Sequence, residues 1–88
     1  MDKNIKLIDG VFSAEDAREV IGSLLQFKIT FHEKKNFSNE IRTGTGDHHS
    51  VLRIQELKTM QLDFDKFLHG VDPVAEFEVF AEITLHKK

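Results

Sequence analysis

Apolar and polar residues alternate most regularly near the C-terminal end of the chain. From Glu76 to His86 every second residue is apolar, which is the period of a β-strand with one buried face. Phe80 breaks the pattern, because it lies among the polar residues of the opposite face. A shorter strand is predicted at Ile5–Ile8, where apolar residues give way to the turn dipeptide Asp9-Gly10.

A helical period follows Ser13, which is predicted to be the helix N-cap. Glu15 and Asp16 place negative charge in the first turn, where the helix dipole favours it. The apolar residues of this segment occupy a broad arc of roughly 200° on a helical wheel. They are Ala17, Val20, Ile21, Leu24, Leu25, Phe27, Ile29 and Phe31. The pattern predicts a helix that runs to about Asn36.

Residues 26–33 also fit a strand, because Phe27, Ile29 and Phe31 alternate with polar residues. The helix is favoured over the strand for two reasons. The polar arc stays in phase from Glu15 to Lys34, and no Gly, Pro or Asn marks a turn near residue 25.

A second helix is predicted at His48–His69, after a loop at Asn36–Asp47. The loop is rich in Asn, Ser and Thr and holds Gly44 and Gly46. The helix has one apolar stripe at 3–4 spacing, formed by Ile54, Leu57, Met60, Phe64, Phe67 and Leu68. Gly70 is a natural end signal, and Pro73 prevents the helix from resuming.

These elements predict one α+β domain over residues 1–88, in the order β-α-α-β. The two long helices form an antiparallel hairpin that packs on a small antiparallel sheet. The short first strand would leave much of the last strand unpaired, and a two-stranded sheet is marginal alone. The sequence therefore predicts a homodimer that extends the sheet, with the C-terminal strands central and Phe80, Ile83 and Phe37 as contacts. The alternative is a monomer in which the end of the last strand is frayed.

Composition and charge narrow the class of protein. The 88 residues include no cysteine, which excludes disulfides and a Cys-ligated zinc site. The formal net charge of -3 argues against a general nucleic-acid binder. No signal-like segment and no apolar run of roughly 18 residues is present, which predicts a cytoplasmic protein outside the membrane.

The charge is unevenly distributed along the chain. Residues 28–53 carry a net charge of +2, while residues 63–82 carry a net charge of -5. Antiparallel packing of the helices would place the basic residues at the tip of the hairpin and the acidic ones at the opposite end. The tip is therefore the first place to look for a binding site.

The sequence predicts a candidate anion site at this tip. Lys28, His32 and Lys35 fall at i, i+4 and i+7 of the first helix, and His49 and Arg53 lie near the start of the second. Gly44 and Gly46 lead into that helix N-terminus, whose free N–H groups favour a phosphate or a carboxylate. The alternative is that these long side chains simply extend into solvent, or pair with Glu33, Glu40 or Asp47.

Motifs for metal binding and catalysis are weak. Asp47, His48 and His49 are adjacent, but neighbouring histidines on a helix point about 100° apart and do not chelate together. The serines at positions 13, 23, 38 and 50 have helix-cap or loop explanations. We expect no catalytic residue, no metal and no cofactor.

Two segments, KITFHEKKNFSNEIRTG and SVLRIQELK, together about a third of the chain, resemble a group of small bacterial proteins of unknown function. The resemblance implies a bacterial origin and assigns no activity. The residues favour a small non-enzymatic dimeric module that acts by binding. The alternatives are a small-anion binder that uses the hairpin tip and an enzyme whose site forms across the dimer.

Overall fold

The computed structural model describes the whole chain, from Met1 to Lys88. Its elements are β1 (Asp2–Ser13), α1 (Ala14–Thr43), α2 (His48–His69) and β2 (Glu76–His86). The two strands pair antiparallel in one sheet, which confirms the predicted α+β class with its helical hairpin. The bounds of α2 and β2 match those predicted, and residues 26–33 are helical.

The first strand is longer than predicted, because Asp9-Gly10 does not form a turn. β1 runs on through both residues to Ser13 and pairs with β2 along its length, from Asp2 opposite His86 to Ser13 opposite Glu76. Pairing with a long partner strand overrides the local turn preference of these two residues. The premise that β2 is largely unpaired within one chain is therefore wrong.

The first helix is also longer than predicted and ends at Thr43 instead of Asn36. Gly44 ends it with a φ of 79°, a left-handed conformation that glycine adopts without strain, and its N–H donates to the Glu40 carbonyl at 2.9 Å. The polar segment 37–43, which was predicted to belong to the loop, is helical. Phe37 accordingly lies on α1 and not in a loop.

Ser13 caps α1 as predicted, since its hydroxyl accepts from the Asp16 N–H at 3.1 Å. No connecting loop separates β1 from α1. Asp47 occupies the N-cap position of α2, but its carboxylate makes no capping bond. Gly70 ends α2 as predicted, with a φ of -88° that lies outside the left-handed region.

One face of the sheet packs on α1. A bulge at Leu7 leaves that residue unpaired, so that Ile5 and Ile8 both lie on the helix side, opposite Ile83 and Ala81. Phe77 extends this contact to the second helix, where its ring lies 5.8 Å from that of Phe67.

The best-covered core lies in the seam between α1 and α2. Ile29 and Leu57 are 2% and 3% exposed, and Leu68 is buried nearer the sheet. Only seven of the 88 residues are buried, and the others are partly or largely exposed to solvent. The shape is flat, 50 × 35 × 14 Å, with a radius of gyration of 16.2 Å, whereas about 12 Å is usual for a compact domain of this length.

Candidate functional site

The tip of the hairpin brings the predicted basic residues together around one buried histidine. His32 is 5% exposed, and its ring lies 6.5 Å from the ring of His49. Burial lowers the pKa of His32, and the nearby positive charges of Lys28, His49, Lys35 and Arg53 lower it further. His32 is therefore neutral at pH 7.

A chain of hydrogen bonds joins His32 to the start of α2. The Ser50 hydroxyl donates to Asp47 Oδ2 at 2.7 Å and lies 3.1 Å from His32 Nδ1. Ser50 is completely buried, on the same face of α2 as Leu57. The sequence predicts only a cap or loop role for this serine. Its spacing of seven from Leu57 indicates which face of α2 it occupies, but not that the hydroxyl is buried there.

The hydrogen positions in this series of hydrogen bonds follow by elimination. The Ser50 hydrogen bond and the neighbouring Lys35 hold the pKa of the Asp47 carboxyl below its usual value, so the carboxylate can only accept. Ser50 has one hydrogen, which goes to Asp47, and it therefore accepts from His32 Nδ1–H. His32 Nε2 then carries a lone pair, and this buried atom has no hydrogen-bond partner.

The loop between the helices is fixed by Asn36. Its side-chain oxygen accepts from the Asp47 N–H at 2.7 Å, and a β-carbon at Gly46 would collide with the same side chain. Gly44 and Gly46 thus have local structural roles, one ending α1 and the other making room for Asn36. The geometry of the two glycines therefore gives no support to their predicted role in anion binding.

Carboxylates lie close to two of the basic residues. Lys35 Nζ is 3.9 Å from Asp47 Oδ2, as one alternative in the sequence analysis predicted, and Arg53 Nη1 is 2.9 Å from Glu56 Oε2. Lys28 Nζ instead lies 5.1 Å from the centre of the Phe31 ring. No groove of the molecule is lined by these basic residues, so the cluster is a surface feature without a cavity.

A second candidate surface is the apolar face of α1. Leu24, Phe27 and Phe31, here called the α1 stripe, continue at 3–4 spacing from Ala17 and Val20. All three are exposed, and Phe27 is 71% exposed. Leu24 and Phe27 line an open groove of about 560 Å³ together with Leu7 and Ile8 of β1.

The sheet has a matching uncovered region at its far end. Ile5, Ile83 and Leu85, here called the open ribbon end, lie on the helix-facing side of the sheet and are 42–51% exposed. They line none of the grooves against α1. The α1 stripe and the open ribbon end are thus two apolar surfaces that their own chain leaves open.

The structure distributes the three predicted contact residues over different surfaces. Ile83 belongs to the open ribbon end. Phe80 is exposed on the outer side of the sheet opposite Asp9, and Phe37 is exposed on α1 beyond the α1 stripe. The three residues do not form one patch.

The structure contains no group of three or more His, Cys, Asp or Glu side chains placed to hold a metal ion. Neither helix combines the length and apolar character needed to cross a membrane. Comparisons with protein-family models, curated proteins and solved structures find no match.

Proposed function

We propose that this protein is a non-enzymatic homodimeric binding module, in which the two copies cover the apolar surfaces that each leaves open. The observation that carries the proposal is the exposed area of one chain. The chain exposes 7013 Å², whereas a folded protein of 10.1 kDa exposes about 5,300 Å². The excess is about 1,700 Å² per chain.

That excess has the size of an interface between subunits. Two copies that each bury about 1,700 Å² would bury about 3,400 Å² in total, which is within the range of obligate homodimers. An isolated domain this small has few other ways to complete its core without disulfides or metals. Because β1 pairs with β2 along its length, an unpaired stretch of β2 no longer supports a dimer. The excess exposed area supports it instead.

A binding role is favoured over catalysis by where the reactive side chains lie. Ser50 and His32 are hydrogen-bonded to each other, but both are buried in the seam between the helices. Neither can reach a substrate without the hairpin opening. The cytoplasmic location and the bacterial origin stay predictions from the sequence.

Substitution of one exposed residue tests the proposal. In an isolated chain, Phe27→Lys should be harmless, because the side chain is largely in solvent. In the proposed dimer it places a charge in the interface, and we expect light scattering to show a fall from about 20 kDa to about 10 kDa. The matched control is Leu62→Lys, since Leu62 is also on a helix, is 64% exposed and lies outside the α1 stripe.

Loss of the helical circular dichroism signal in Phe27→Lys, with Leu62→Lys still folded, also supports the proposal. Such a result means that folding and dimerisation are coupled. A dimer of unchanged mass and affinity in Phe27→Lys contradicts an interface at the α1 stripe. A native chain of about 10 kDa contradicts the proposal altogether.

A second candidate function is anion binding at the hairpin tip. It is favoured by Lys28 and His49, which have no carboxylate partner. Inorganic phosphate is the probe, with amide resonances of residues 42–53 as the readout. We expect saturable shifts in the native chain that Lys28→Gln reduces, whereas no shift up to 10 mM, about the weakest useful affinity, contradicts anion binding.

A further inference from the structure

The α1 stripe and the open ribbon end do not cover each other within one chain. Leu7 and Ile8 of the ribbon share a groove with α1, whereas Ile5, Ile83 and Leu85 lie farther along the strands and are exposed. The α1 stripe is exposed as well, although it continues from residues that pack on the sheet. Each surface therefore needs an apolar partner from elsewhere.

We infer that the dimer is reciprocal: the open ribbon end of each chain packs on the α1 stripe of its partner. This inference rests on the proposed homodimer and specifies how the two copies meet. In such a twofold arrangement one pair of surfaces is used twice, so that both open surfaces of both chains are covered. The interface is then made between layers, by a sheet face on a helix face, and not by joining strand edges.

The two surfaces match in size. Leu24 to Phe31 spans about 10 Å along the helix, at 1.5 Å per residue. Ile83 to Leu85 spans about 7 Å along the strand, and Ile5 widens the surface by one strand spacing of about 5 Å. One helix stripe is therefore long enough to cover one ribbon end.

Size favours a second copy over a different protein. The excess exposed area of about 1,700 Å² lies within the range that each half of an obligate dimer buries. A second copy of the chain also offers each open surface the apolar partner that it lacks, because every copy carries both surfaces.

Disulfide pairing tests this geometry directly, because the native chain has no cysteine. A tagged Phe27→Cys chain is coexpressed with an untagged Ile83→Cys chain, and the formation of mixed disulfide under mild oxidation is timed. Val74→Cys replaces Ile83→Cys in the control, since Val74 is 82% exposed in the turn before β2. We expect the Phe27–Ile83 pair to oxidise at least 10-fold faster than the control pair, because a disulfide forms only between closely placed β-carbons.

Two results would overturn the reciprocal geometry and leave the proposed homodimer standing. One is equal oxidation of the two pairs while light scattering still gives about 20 kDa. The other is rapid self-linking of Phe80→Cys or Ile83→Cys alone with no Phe27–Ile83 product, which would indicate joined β2 strands. A mass of about 10 kDa for the native chain would overturn both proposals at once.

Discussion

The seam between α1 and α2 buries polar side chains, whereas the open face, formed by the α1 stripe and the open ribbon end, exposes apolar ones. In the seam, two polar side chains, Ser50 and His32, are buried together with Ile29 and Leu57. On the open face, large apolar side chains such as Phe27 are exposed. The seam is complete within one chain, and the face is not.

This difference shows which contacts a single chain can make and which need a second copy. Burial of Ser50 and of His32 Nδ1 is tolerated in the seam because each supplies the other with a hydrogen-bond partner. Exposure of apolar groups on the face is unfavourable unless another surface covers them. Substitutions in the two regions should therefore differ in size and in their dependence on protein concentration.

The largest effect is expected in the seam. Leu57→Ala should lower the free energy of unfolding by about 2–4 kcal/mol, because it removes buried methyl groups and leaves a cavity. Leu62→Ala is the control, since the same change at an exposed site on the same helix should stay within about 0.5 kcal/mol. Urea denaturation at one fixed concentration measures both. Equal losses would mean that the seam is not the core of the molecule.

The next largest effect tests the polar part of the seam. Ser50→Ala leaves His32 Nδ1 without an acceptor and Asp47 without its donor, and should lower stability by about 1–3 kcal/mol. Ser38→Ala removes an exposed hydroxyl from α1 and serves as the control. A change in Ser50→Ala no larger than in the control would contradict the assigned hydrogen-bond chain.

The pH dependence of stability tests the neutral state of His32. The folded-state pKa of His32 is lowered, so below pH 6.5 the unfolded chain binds a proton that the folded chain does not. Stability that is full above pH 6.5 should therefore decline as the pH falls through the folded-state pKa. His32→Gln should reduce this slope, whereas His48→Gln, at an exposed position, should retain it. Identical slopes in all three proteins would contradict the assignment.

The smallest effects concern two glycines, Gly22 within α1 and Gly44 at its C-terminal cap. Gly44→Ala should lower stability by about 1 kcal/mol, because the φ of 79° is strained for any residue with a β-carbon. Gly22→Ala should raise stability by about 0.5–1 kcal/mol, since it lies in the helix and a β-carbon there meets no atom within 4 Å. Thermal denaturation of the pair checks the opposite signs. A gain in Gly44→Ala would contradict the position of the helix end.

Strong periodicity was sufficient to predict some elements and insufficient for others. The alternation of Glu76–His86 and the stripe of His48–His69 each locate an element to its end residues. At Asp9-Gly10 the local turn signal is overridden by pairing with Phe80 and Val79 of β2, which are 71 and 69 residues away in sequence. Single-sequence patterns carry no information on that partner.

The site shows the same division between local and non-local information. Helical spacing and antiparallel packing correctly predict that Lys28, His32, His49 and Arg53 converge. They do not predict the burial of Ser50, because a hydroxyl is buried only where another element offers a hydrogen-bond partner. They also do not predict that Asp47 binds Ser50 in place of a backbone N–H.

Sedimentation equilibrium of the unsubstituted chain tests the central claim most directly. The claim is that the open apolar face is an interface between two copies. A series from about 1 to 100 µM should fit one species of about 20 kDa, or a monomer–dimer equilibrium that favours the dimer at the upper end. A single species at the 10.1 kDa of the chain across the whole series would contradict it.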